Sequence, residues 1–163
     1  MRKPWFKALP EFLIQRKEPP FRYSQILQWI FEKSVYDFNQ MTNLPQDMRK
    51  SLVSRFTILP LTIQQTIKSQ DNQTIKWQLL TEKEEQVECV LIKSGKRSTL
   101  CISSHTGCPL GCKFCATGQM TTYRRLTDTE ILAQYLLVRA KHPEITNIVF
   151  MGMGEAFVNY DNV

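Results

Sequence analysis

With 163 residues, 42% of them hydrophobic, the chain is long enough for one domain or two small ones with a packed core. It has no run approaching the ~20 apolar residues of a membrane-spanning helix, and it carries no internal repeat or low-complexity stretch. Its 21 Lys and Arg against 15 Asp and Glu leave a formal charge of +6, spread along the chain, which tilts toward a polyanionic partner such as RNA.

Residues 5–56 read as helical. A first helix is expected over Phe6–Arg16, stopped by Pro19-Pro20. Phe21, Ile26, Leu27, Ile30 and Phe31 recur near a helical period and predict a second. A third is expected from Pro45 to about Arg55. Two readings stand for this region, a small bundle without chemistry of its own and an RNA-docking domain. From Phe56 the pattern turns to strands. Thr57–Gln70, Gln73–Thr81 and Gln86–Lys93 alternate and are rich in β-branched residues, with hairpin turns expected at Asp71-Asn72 and Ser94-Gly95-Lys96. A further strand, Ser98–Ser103, leads straight into a cysteine-rich loop.

Beyond that loop, Thr127-Asp-Thr-Glu130 carries a capping-box pattern and opens a helix to about Lys141, ended by Pro143. Thr146–Met151 is a short, nearly all-apolar strand of the kind buried in a parallel sheet. Strand, loop, helix and strand make a βαβ unit. One such unit cannot close a barrel, so the chain reads as a piece of a longer protein rather than one that borrows its missing strands elsewhere, with an uncovered sheet edge at Thr146–Met151.

Chemistry concentrates in the run Gly107-Cys-Pro-Leu-Gly-Cys-Lys-Phe-Cys-Ala-Thr-Gly118, where Cys108, Cys112 and Cys115 follow a C-x3-C-x2-C spacing. Three close thiolates suit three irons of a four-iron, four-sulfur cluster and leave the fourth iron open to a small molecule. A zinc knuckle wants a fourth Cys or His, and only His105 and Cys101 stand near, at unfamiliar spacings. A disulfide framework belongs to an oxidising compartment, and Met1-Arg-Lys-Pro-Trp5 does not begin an export signal. These points indicate a reducing cytoplasm.

The cysteine spacing is similar to that of radical S-adenosylmethionine (SAM) enzymes, and the resemblance extends from about Phe21 to Val163. Phe21-Arg22, Gln25-Ile26, Trp29-Ile30, Met41-Thr42, Leu44-Pro45, Val87-Glu88-Cys89-Val90, Leu100–Ser104, Asn147–Glu155 and Asn159–Val163 together resemble the RlmN/Cfr family of RNA methyltransferases. The resemblance implies an α/β fold: a small N-terminal helical accessory domain (1–56), a β-rich connecting segment (57–96) and the truncated start of a radical-SAM partial (β/α)6 barrel (97–163). It implies methylation of adenine C2 in 23S ribosomal RNA, and of transfer RNA, through a methyl-cysteine that lies beyond Val163. Cfr-like methylation at C8 and a non-catalytic, truncated RNA- or cluster-binding paralogue are the alternatives. The implied cofactors are a [4Fe-4S] cluster and SAM, and the implied partners are RNA and an electron donor such as a flavodoxin.

By the same resemblance Cys108, Cys112 and Cys115 hold the cluster, and Gly154-Glu155 contact SAM. Glu88 is the proton acceptor or base contact, and Cys101 resolves the protein–RNA adduct by disulfide formation. Read from the residues alone, Glu88 is a solvated strand carboxylate and Cys101 a small buried apolar residue. Cys89 has no implied role. The sequence departs from the family at His105, Thr121, Arg125 and Ala156. Thr121 stands where glycine is usual, which puts a positive-φ turn in doubt. Arg124-Arg125 forms a basic pair suited to phosphate or to a solvated helix lead-in. The isolated chain is expected to be poorly soluble and inactive.

Overall fold

The computed structural model describes residues 3–163; Met1 and Arg2, the start of the segment read as no export signal, lie outside the described residues. The chain divides into two compact units, Met1–Leu59 and Pro60–Val163.

In the first unit, β1 (Lys3–Pro4) precedes α1 (Ala8–Gln15) and α2 (Phe21–Leu27), which runs on through a π-helical turn over Gln28–Glu32. A 3-10 turn at Phe38–Gln40, α3 (Gln46–Arg55) and β2 (Phe56–Thr57) complete it. Helix α1 stops because Lys17 adopts φ 56. This turns the Lys17 and Glu18 amides back to the carbonyls of Ile14 (2.9 Å) and Leu13 (3.0 Å). Pro19 and Pro20 then bar its continuation. The apolar stripes bury Trp5, Leu9, Phe12, Ile26, Ile30, Met48 and Leu52. Arg16 ties α1 to α3 through Asp47 (2.7 Å) and Ser51 (3.0 Å).

The expected strand over 57–70 is divided. Its start pairs with Lys3–Pro4 in a two-residue parallel ladder, and β3 begins only at Leu61 (Leu61–Lys68), after Pro60. A two-residue strand has no periodicity to read, which is why β1 and β2 escape the sequence.

The second unit is built on one five-stranded sheet in the order β3-β4-β5-β6-β7. Its further strands are β4 (Thr74–Thr81), β5 (Gln86–Ser94), β6 (Arg97–Cys101) and β7 (Asn147–Val149). β3 to β6 form an antiparallel meander, and β7 joins β6 in parallel after the crossover helix α4 (Asp128–Arg139). The strands of 57–96 and of 97–163 therefore share one sheet. At the first hairpin Asp71 accepts from the Gln73 amide (3.0 Å), and Asn72 takes φ 56. The capping box of α4 is present, with Thr127 accepting from the Glu130 amide at 3.2 Å.

Alternation sorts the sheet into two faces. Ile75, Trp77, Leu79, Val87, Cys89, Leu91, Ser98 and Leu100 are buried on one, where Trp77 meets the ring of His142, just past α4, edge-on at 5.5 Å. Lys76, Gln78, Glu88, Val90, Thr99 and Cys101 stand on the other, which is only half-covered. β7 is an edge strand, shorter than the expected Thr146–Met151, with Ile148 45% and Met151 81% exposed. Among the described residues no helix is long and apolar enough to cross a membrane.

Candidate functional site

Adjacent parallel strands direct their carboxyl ends to the same side of a sheet, where α/β proteins build their sites. Here β6 runs into the segment 102–106 and β7 into 150–155. The Ile102 amide donates to the Val149 carbonyl (2.9 Å) and the Gly152 amide to the Ile102 carbonyl (3.1 Å). The Ser104 and His105 amides both donate to the Met153 carbonyl, at 3.0 and 3.2 Å. Ser103 is the junction. Its hydroxyl accepts from the Met153 amide (2.8 Å) and donates to the backbone carbonyl of Glu88 (2.6 Å). Gln134 of α4 clamps both backbone groups of Ser103 at 2.8 Å, and Asn159 donates to the carbonyls of Ser104 and Leu126. Three sequence-singled positions, Glu88, the approach to the cysteine loop and the Gly-Met-Gly-Glu loop, are thus tied into one hydrogen-bonded unit.

Gly154 sits where φ is +94, and a Cβ there would run into the His105 ring. His105 is fully buried; its Nδ1 lies 2.9 Å from the Ser104 hydroxyl. Burial, reinforced by the charge of Arg125, pushes its pKa down and favours the neutral ring. Glu155 begins a 3-10 turn over Ala156–Asn162 and accepts from the Phe157 amide at 3.3 Å.

All five cysteines are free thiols. Cys108, Cys112 and Cys115 lie half-buried on one loop, which folds tightly: the Cys115 amide donates to the Cys112 carbonyl (3.1 Å), and a Cβ on Gly118 would sit 2.8 Å from the Cys112 nitrogen. The backbone amides of Gly118 and Thr117 hold the Cys115 thiol below its ordinary range, which favours the thiolate a metal requires. Among the described residues no group of three His, Cys, Asp or Glu gathers around a single-ion site. A cubane cluster spreads its thiolates over separate irons and does not need them at one point. Three soft donors on one solvent-reaching loop therefore fit an iron–sulfur cluster.

Cys101 lies on the half-covered face, opposite Val90 on β5 and Val149 on β7. Burial pushes its thiol up, partly offset by a backbone hydrogen bond at Met151. Cys89 points to the buried face, where burial pushes it to about 12. Glu88 is 39% exposed and pairs with Lys76 at 2.7 Å. It lines a cleft of about 280 Å³ with Gln86, Ala116, Thr117, Met120 and Met153. The structure thus brings Glu88 against the far side of the cysteine loop; Cys101 shares its sheet face but does not line that cleft. Larger clefts, of about 460 and 480 Å³, belong to the helical unit and hold none of these residues.

The structure changes the reading of Thr121 and of Arg124. Thr121 is not among the positive-φ residues, so threonine costs no backbone strain there. Arg124 does not stand ready for phosphate: its guanidinium is taken by Glu85 (2.5 Å) and Glu130 (2.8 Å), which hold it together with the Arg125 carbonyl. Both carboxyls lie below their ordinary range, and the Arg124 hydrogen bond is the leading downward cause for each, working against burial. The sequence reading missed Gln134 and Glu85, and the contacts that Ser103, Asn159 and Glu130 make across the site. Gln134 is marked only as a polar residue within an apolar stretch, and nothing local to the polar run around Glu85 signals its contact with Arg124.

Comparison with known proteins gives consistent matches. A family model described as the ribosomal RNA large subunit methyltransferase N-terminal domain matches residues 6–58, and the radical SAM superfamily model matches residues 102–163. The "Probable dual-specificity RNA methyltransferase RlmN" of Cytophaga hutchinsonii is 43% identical over 162 residues, 96% of this chain and 44% of that protein. The dual-specificity RNA methyltransferase RlmN of Halorhodospira halophila is 44% identical over 148 residues, 90% of this chain and 41% of that protein. A crystal structure of a radical SAM methyltransferase from Sphaerobacter thermophilus superposes with a TM-score of 0.87 at 38% identity, covering 94% of this chain and 46% of that one. The chain spans less than half the length of the relatives it matches.

Proposed function

The chain belongs to the RlmN-type family of radical-SAM RNA methyltransferases, and from that premise we propose that it forms the cluster-binding part of an enzyme that methylates C2 of adenine in 23S ribosomal RNA and in transfer RNA. The observation that carries this reading is the junction at Ser103. It ties Glu88 to the Met153 loop at the carboxyl ends of two parallel strands, and Glu88 and Met153 line one cleft with Ala116 and Thr117, just past Cys115.

Cys108, Cys112 and Cys115 would hold the cluster. Bound there with SAM on its open iron, it would supply the carbon radical that an unreactive aromatic carbon requires. Glu155 offers a carboxylate to the SAM ammonium, and Gly154 permits close approach of the backbone. Glu88, an anionic acceptor in the cleft, takes up the proton lost from the base. Cys101, on the same sheet face, is the thiol that releases the product by disulfide formation with the methyl-carrying cysteine. The basic helical unit docks the RNA, an external electron donor of flavodoxin type supplies the reducing electron, and the reaction takes place in the cytoplasm.

Two measurements on the full-length protein test this. Anaerobic reconstitution should bind about four irons per chain, and Cys112→Ala should abolish the uptake. Nuclease digestion of modified RNA followed by mass spectrometry against methyladenosine standards should give 2-methyladenosine. Tightly bound zinc without iron uptake would sink the cluster assignment, and 8-methyladenosine would replace C2 by C8.

A further inference from the structure

We propose that Lys76 is a positioning residue for the reaction: its ammonium holds one oxygen of the Glu88 carboxylate so that the other faces the incoming base. This inference rests on the role given above to Glu88. The β4–β5 register sets Lys76 opposite Val90 and Gln78 opposite Glu88, so Lys76 and Glu88 are diagonal neighbours on the half-covered face. Lys76 Nζ lies 2.7 Å from Glu88 Oε1. The row through Lys76, which pairs with Ile67 on β3, continues through Val90 to Cys101 and then Val149. The lysine therefore stands on the row of the resolving thiol, while its ammonium reaches the row of the acceptor.

The pair is unsuited to a purely structural task. Both side chains are more than a third exposed, 41% and 39%, and pairs so exposed add little to stability. Its effect falls on Glu88 itself. A glutamate on an open sheet face samples several rotamers, and a general acceptor works only when held within hydrogen-bond reach of its proton. Ser103 fixes the backbone of Glu88 at 2.6 Å and Lys76 fixes one carboxylate oxygen, so both ends of the residue are restrained. An ammonium has donors only, so it leaves the remaining acceptor capacity of Oε2 to the cleft that Glu88 lines with Thr117 and Met153.

The test uses the full-length enzyme with its cluster, in four forms: wild type, Lys76→Met, Lys76→Arg and Glu88→Gln. Turnover and KM are measured with transcribed RNA at several salt concentrations. The ¹³C carboxyl signal of Glu88, assigned by its loss in Glu88→Gln, is followed in the metal-free protein. Lys76→Met is expected to lower kcat about tenfold with KM unchanged, as misplacement of a reacting group does. It should also broaden or split the Glu88 signal, while Lys76→Arg recovers most of the rate and a single signal. A Lys76→Met enzyme with normal kcat, or one with raised KM and a shallower salt dependence, would overturn the proposal; the second result would make Lys76 a phosphate contact. Glu88→Gln separates the failures. If it turns over normally, the role of Glu88 falls and this inference with it. If it is inactive while Lys76→Met is normal, only the role of Lys76 falls.

Discussion

Two cysteines one register step apart have opposite surroundings. Cys89 faces the core, where burial pushes its thiol up to about 12, whereas Cys101 stands on the half-covered face beside Val149. Strand alternation makes this difference in exposure, although burial pushes both thiols up. In the full-length protein Cys101→Ala should leave RNA covalently attached, because no thiol remains to resolve the adduct. A denaturing gel of enzyme expressed in cells should then show a slower, RNase-sensitive protein band. Normal turnover without that band would remove Cys101 from the mechanism, whereas Cys89→Ala should give no band. Gly154 is the other position where a single atom decides. Its φ of +94 and the His105 ring leave no room for a methyl group. Gly154→Ala should cost about 1–3 kcal/mol, read by denaturant unfolding.

At the scale of elements, Arg124 joins three pieces: Glu85 from the β4–β5 turn, Glu130 from the first turn of α4, and, through its amide, Thr106 at the entry to the cysteine loop. Glu130 also closes the capping box on Thr127. Arg124→Met leaves two carboxylates without their shared cation and should destabilise the protein by about 2 kcal/mol. The pH dependence follows from the depressed carboxyl pKa values. Their stabilisation is complete above the ordinary value of 4.5 and is lost as pH falls through the lower folded-state values. Thermal melts between pH 7 and pH 3 should show the wild type losing stability on acidification and Arg124→Met losing less. Because the guanidinium is already engaged, Arg124→Met should not change the salt slope of RNA binding, which any true phosphate contact would.

For the whole molecule, the open edge of the sheet is the exposed liability. β7 presents Ile148, followed by Phe150 and Met151, and the turn beyond it exposes Phe157 (81%) and Tyr160 (74%). Unpaired apolar edges template further pairing. The 163-residue chain by itself should therefore aggregate at micromolar concentration in light scattering, and Ile148→Lys should suppress this. An equally soluble wild-type chain would show that the edge is protected by other means.

The sequence alone determined whatever depends on local order. The helices around Leu9, Ile26 and Leu52, the alternation of Thr74–Thr81, the Thr127–Glu130 capping box and the cysteine spacing were all legible, because each signal lies within a few residues of chain. Tertiary structure decided what depends on residues brought together from far apart. The β1–β2 ladder joins Lys3 to Phe56, Ser103 bridges Glu88 and Met153, and Arg124 turned from a prospective phosphate ligand into an internal clamp because Glu85, 39 residues away, lies within reach. No spacing rule encodes such pairs. A hydrogen bond or ion pair is selected by three-dimensional proximity after the sheet has set its register, and a shift of one residue would have sent Glu88 and Cys101 to the buried face.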